Sequence, residues 1–135
     1  MESSLENNLE SNSMEPDDYL YVYLHFLKVA TRFDNTTDRT IAYEASKDPK
    51  FNKLIQKYGE NHFSNVLKIL VNEMISQGVL IGVQAKPMNI ITGVSPVGYS
   101  ILAKSNDNKF ISKLKKSAPK WALNTLTSII ISLVS

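Results

Sequence analysis

Between Asn61 and Lys104 the apolar positions change period twice. Phe63, Val66, Leu67, Leu70, Val71 and Met74 recur every three to four residues, which predicts a helix from Glu60 or Asn61 to Gln77, with Gly78 placed to stop it. Ser64, Asn65, Lys68, Asn72, Glu73 and Gln77 are left on its outer side. The next runs, residues 79–83 and 90–94, are rich in β-branched side chains and predict two strands, joined by a tip at residues 84–89 that carries Lys86 and Pro87. Ser95-Pro96 then opens a helix to Lys104, with Tyr99 and Leu102 expected to point inward.

Upstream, Pro16-Asp17-Asp18 supplies acidic oxygens at a helix start. Leu20, Tyr23, Leu24, Leu27 and Ala30 form an apolar face that fades by Phe33, while Tyr21, His25, Lys28 and Arg32 face outward. Residues 34–38 read as a turn, followed by short helices at residues 40–46 and at 49–58, the second capped by Asp48 and ended by Gly59. Downstream of Asn106-Asp107-Asn108, Phe110, Ile111 and Leu114 mark a short helix with lysines on its other side. Pro119 is expected to start a final helix over residues 120–134, too apolar to be left in water.

This order predicts a mainly helical α+β fold: a winged helix-turn-helix with a two-stranded hairpin wing and additional C-terminal helices. Residues 1–17 are expected to be a disordered acidic tail, 18–104 the winged-helix domain, and 105–135 a basic plus apolar helical end. That end either closes the core, pairs with a second copy through Trp121, Leu126, Ile129, Ile130 and Leu133, or meets another protein or an anionic membrane surface. Closure and homodimerisation are the favoured fates, because a polar strip of Asn124, Thr125, Thr127, Ser128 and Ser132 suits a packed helix.

The net charge of +2 conceals a split. Six acids and no base lie in residues 1–18, so fifteen Lys and Arg face seven acids in 19–135, leaving +8 there. Such a body attracts polyanions, although lysines also serve only for solubility. Six of the bases crowd residues 104–120 against Asp107 alone. No cysteine is present, which excludes disulfides and thiolate metal sites and is compatible with a reducing cytoplasm. Met1–Asp18 has neither the basic end nor the apolar core of a signal peptide, and no apolar run reaches the ~18 residues of a membrane span, so a cytoplasmic location is expected.

No constellation carries enzyme chemistry. His25 and His62 are the only histidines, no His-x-x-x-His or paired acidic motif occurs, and Gly82 and Gly93 lack phosphate-loop spacing. No catalytic residue, metal or cofactor is assigned, and the chain reads as a binding module.

The run Val94-Ser95-Pro96-Val97-Gly98-Tyr99-Ser100-Ile101-Leu102 resembles the Thr-Pro/Glu-x-Gly-Tyr-x-x-Leu segment that follows the wing in many small bacterial and phage winged-helix proteins, the YjcQ-like group among them. With the helix-Gly-apolar shape around residues 70–80, the similarity covers residues 18–104. It implies a scaffold used by transcription regulators of bacteria and mobile elements, and also by proteins that hold other proteins. A DNA-binding reading would place residues 61–77 in the major groove of double-stranded DNA. There Ser64, Asn65 and Asn72 would read bases while Lys53, Lys57, Lys68 and Lys86 position phosphates. The rival is a protein-binding winged helix, such as a phage inhibitor of a host or defence protein; the nearly uncharged outer face favours it.

Overall fold

The computed structural model describes residues 14–134. The expectations for residues 1–13, an acidic disordered tail without a signal peptide, lie outside the described residues. Within them the fold is α+β and mostly helical, with seven α-helices and one small antiparallel sheet.

The chain packs around its first helix, α1 (Pro16–Ala30). Tyr19, Leu20, Val22, Tyr23, Phe26, Leu27, Val29 and Ala30 are all buried, so α1 is apolar nearly all round. Periodicity predicted one buried stripe; Val22, Phe26 and Val29 widen it because neighbours cover α1 on several sides. Met14 is buried as well, and the Glu15 amide donates to the Tyr58 hydroxyl at 3.0 Å, so ordered packing begins ahead of α1. Three successive amides, Thr31 to Phe33, bond to carbonyls three residues back, a tight turn that ends the helix before Phe33.

After Asn35, which takes a positive φ of 53°, Thr36–Thr37 forms a strand, β1, where a turn was expected. Residues of α2 (Asp38–Ala45) follow, with the Thr37 side chain accepting from the Thr40 amide. In α3 (Pro49–Tyr58), Asp48 accepts from the Lys50 and Phe51 amides, the cap its sequence announced. Gly59, at φ 89°, turns the chain directly into α4 (Glu60–Ser76), whose buried residues are the six predicted ones from Phe63 to Met74. Gly78 adopts φ 78° and releases the chain into β2 (Leu80–Val83), which returns as β3 (Ile90–Val94). The sheet runs in the order β1-β3-β2, all antiparallel, with Thr36 opposite Ile91 and Val83 opposite Ile90.

The helix α5 (Pro96–Lys104) is capped by Ser95. Its hydroxyl accepts from the Gly98 amide and donates to the Val79 carbonyl at 2.9 Å, locking α5 to the start of β2. A Cβ on Gly98 would collide with Val94 and the Val79 carbonyl, so the missing side chain sets how closely α5 sits. That rotation turns Gly98 and Ile101 inward and leaves Tyr99 exposed and Leu102 half-buried, against the expectation that both point inward.

The C-terminal part closes the same core. In α6 (Asn108–Lys116) Phe110 and Leu114 are buried. The expected helix over residues 120–134 is shorter: a 3-10 turn at Ala118–Lys120 and an extended Trp121 precede α7 (Leu126–Val134). Trp121 donates from its indole to Ser117 at 2.8 Å and meets Tyr19 edge-on at 6.4 Å, while Thr125 Oγ1 captures the Ala122 amide. These contacts hold the intervening chain out of helix. Leu126, Thr127 and Ile130 are buried against α1 and its neighbours, and the Tyr23 hydroxyl donates to Thr127 Oγ1 at 3.0 Å inside the core. Burial pushes the Tyr23 phenol well above its ordinary pKa, so this bond stays neutral at any physiological pH.

Candidate nucleic-acid interface

The outer side of α4 meets the hairpin tip, and Lys68 stands at the junction. Its ammonium donates to the Pro87 carbonyl at 3.2 Å. On one side of Lys68 a groove of about 210 Å³ is lined by Arg39, Ser64, Lys68 and Pro87 above Leu67 and Val71, with Asp38 and Ala42 completing it. On the other, a groove of about 170 Å³ is lined by Lys68, Asn72, Gln84, Ala85, Lys86 and Asn89. Ser64 and Asn65, on the turn before Lys68, are exposed. Arg39, Lys68 and Lys86 have no carboxylate partner within salt-bridge distance among the described residues, and Asp38 is the one acid lining either groove. Among the described residues, therefore, no ion pair has to break for this surface to take an anion.

Asn89 builds this junction. Almost fully buried, it donates from its side-chain amide to Asn72 Oδ1 at 2.7 Å, accepts from the Ala85 amide at 3.0 Å, and offers its carbonyl to the Asp38 amide at 3.1 Å. One side chain thus closes the tip, and its residue binds the tip to α4 and to the start of α2. Gln84 adds a bond to the Asn72 carbonyl at 3.2 Å.

Asn72, expected to read a base, is instead a structural partner of the tip, because its side-chain oxygen is spent on Asn89. Lys57, expected on phosphate, binds Asp18 at 2.9 Å and Glu15 at 3.4 Å. Burial acts to raise the Asp18 pKa, but hydrogen bonds from Lys57 and Tyr58 and the lysine charges outweigh it, and the carboxyl titrates below its usual value. The hydrogen bond to Asp18 in turn raises Lys57 above an ordinary lysine. Lys53 is exposed on α3, has no acid partner among the described residues, and lines neither groove. The predicted set therefore contracts to Ser64, Asn65, Lys68 and Lys86. Arg39 joins it from the first turn of α2; its only sequence signal was a basic residue beside the predicted turn at 34–38.

Of the residues expected to join two copies, Leu126 and Ile130 are wholly buried within the chain, while Trp121, Ile129 and Leu133 are half-buried against the core. Leu126 and Ile130 are thus unavailable to a second copy while the fold is intact. The same burial takes Leu126 and Ile130 out of reach of a bilayer surface, and no helix among the described residues is long and apolar enough to cross a membrane. His25 lies against the rings of Tyr21 and Phe51, and His62 stacks on Tyr58.

No protein family, curated protein or solved structure gives a significant match to this chain.

Proposed function

We propose that this protein is a winged-helix DNA-binding protein, a regulator of transcription in a bacterium or mobile element. The reading rests on one observation: α4 leads straight into a hairpin whose tip lies against it, and Arg39, Lys68 and Lys86, free of acid partners among the described residues, line the two grooves at that junction. The strand order β1-β3-β2, with the strand after α1 pairing to the return strand of the hairpin, supports the same assignment. In this mechanism the exposed start of α4 enters the major groove with Ser64 and Asn65 toward base edges. Arg39, Lys68 and Lys86 hold phosphates and fix the register.

Fluorescence anisotropy with a labelled duplex, titrated over a range of salt, tests the proposal. Three phosphate contacts predict a slope of log K against log salt near −2.7, from about −0.9 per neutralised phosphate, and Lys68→Ala should lower its magnitude by about one contact. Absence of binding at low salt, or an unchanged slope in Arg39→Ala, Lys68→Ala and Lys86→Ala alike, defeats it.

A protein-binding use of the scaffold is the second reading. It is favoured by the tie of Asn72 and Lys68 to the hairpin, which leaves few donors for bases. Capture of a host protein that survives nuclease treatment, without measurable duplex binding, would establish that alternative.

A further inference from the structure

We propose that a second copy of this chain docks edge to edge on β2, continuing the sheet across a two-fold axis. In the order β1-β3-β2 the strand β2 has a partner on one side only. No strand and no outside backbone group pairs with Leu80–Val83 along the other side among the described residues. The irregularity in the hairpin puts the extra residue, Thr92, on β3: Ile81 faces Gly93 and Gly82 faces Ile91, so β2 itself keeps a regular course.

Edge strands are ordinarily protected by lysine, proline or an inward charge. β2 has none. From Met74 to Ala103 the only charged residue is Lys86, at the hairpin tip. Three β-branched side chains stand out from the same sheet face: Ile81 is 52 % exposed, Val83 61 % and Ile90 51 %. Large apolar side chains that exposed, side by side and next to an unpaired backbone edge, mark an association surface.

The charge distribution selects the occupant. Residues 19–135 carry +8, so two copies repel each other wherever their lysines meet. β2 lies in a run free of charge apart from Lys86, where that repulsion is small and apolar side chains are exposed. A polyanion gains nothing from an uncharged strand. A strand pairing antiparallel with its own copy also satisfies both edges at once. With the axis at Gly82, Ile81 lies across from the partner's Val83 and Val83 across from the partner's Ile81. These are β-branched cross-strand pairs of the kind that stabilise a sheet. Gly82 at the centre leaves no side chain in the way.

The surface is small. Three half-exposed side chains and a four-residue edge cover less than the ~800 Å² per partner of a standard stable interface, so the dimer is weak and reversible. Its assembly is independent of the DNA reading, because it is measured on the protein alone.

Sedimentation equilibrium of the full chain, from low micromolar to high micromolar concentration, is the test. A monomer–dimer equilibrium is expected in which Val83→Lys and Ile81→Lys each raise Kd at least tenfold, because each replaces a β-branched cross-strand pair by a lysine set against an apolar side chain, with the second lysine diagonal to it across the axis. Tyr43→Lys, at an equally exposed site on α2, leaves it unchanged. Val83→Thr, which keeps the β-branched shape of the edge and loses apolar contact, weakens the dimer in the same direction, so the test survives if a lysine variant folds poorly. A chain that stays monomeric throughout, or a dimer weakened by Tyr43→Lys and not by Val83→Lys, overturns the proposal.

Discussion

The placement of α7 can be tested through Ile130→Ala. Ile130 has no exposed surface and belongs to the core cluster around α1. Replacing it by alanine removes three carbons, worth about 2.4 kcal/mol at ~0.8 kcal/mol each, before any cavity is counted. Because rigid neighbours collapse only partly into the space, a loss of about 3–4 kcal/mol is expected, within the range observed for such truncations. Against the ~5–15 kcal/mol by which a domain of this size is stable, that is a large fraction. Urea unfolding followed by circular dichroism should show a lower midpoint with an unchanged slope. Run at two protein concentrations tenfold apart, the loss should be the same, because the contact lies within one chain. Ile129→Ala, at a half-buried position on the same helix, should cost about 1 kcal/mol or less. A loss from Ile130→Ala below ~0.5 kcal/mol would show that α7 does not pack into this core, and one that grows with dilution would show that a second copy holds it.

The hairpin and the N-terminal ion pair make further predictions. Gly82→Ala should destabilise by about 1–3 kcal/mol, since its Cβ would run into the Ile90 carbonyl and Ile91 Cα, whereas Gly93→Ala, with open space, should stay within ~0.5 kcal/mol; urea midpoints compare the two. The lowered Asp18 pKa sets a pH dependence: its ion pair with Lys57 contributes fully above the ordinary carboxyl value near 3.9 and is lost as pH falls through the lower folded value. Thermal melts between about pH 5 and pH 2 should therefore fall less steeply in Asp18→Asn than in the parent chain; parallel curves would reject the assignment.

How much could be read without coordinates depends on the range of the forces involved. Capping is local, and so Ser95 and Asp48 announced the starts of α5 and α3 before any packing was known. Gly59 and Gly78 marked the two ends where the backbone turns left-handed. The apolar face of α4 followed from its spacing alone, because one face of that helix is buried and the opposite face is not. Where several neighbours surround an element, periodicity undercounts: α1 buries Val22, Phe26 and Val29 beyond its predicted stripe. β1 is two residues long, too short for any pattern, and exists because β3 offers it a ladder from more than fifty residues away.

The candidate site divides in the same way. Ser64, Asn65, Lys68 and Lys86 were visible as exposed polar positions on a helix and a tip. Only the fold shows that Asn72 is consumed by Asn89, that Lys57 is consumed by Asp18, and that Arg39 arrives beside Lys68. A side chain's type is written in the sequence, but the partner that leaves it free or occupied comes from another element.

The amino-acid order by itself determined the number and kind of most elements, their caps, and the basic character of residues 19–135, because each follows from neighbours within a turn or two of chain. The tertiary structure alone decided which side of α5 faces inward, that α7 seals the core, and which cations, among the described residues, stand without an acid. Those outcomes depend on contacts between segments far apart in sequence, where burial and pairing are settled by three-dimensional proximity.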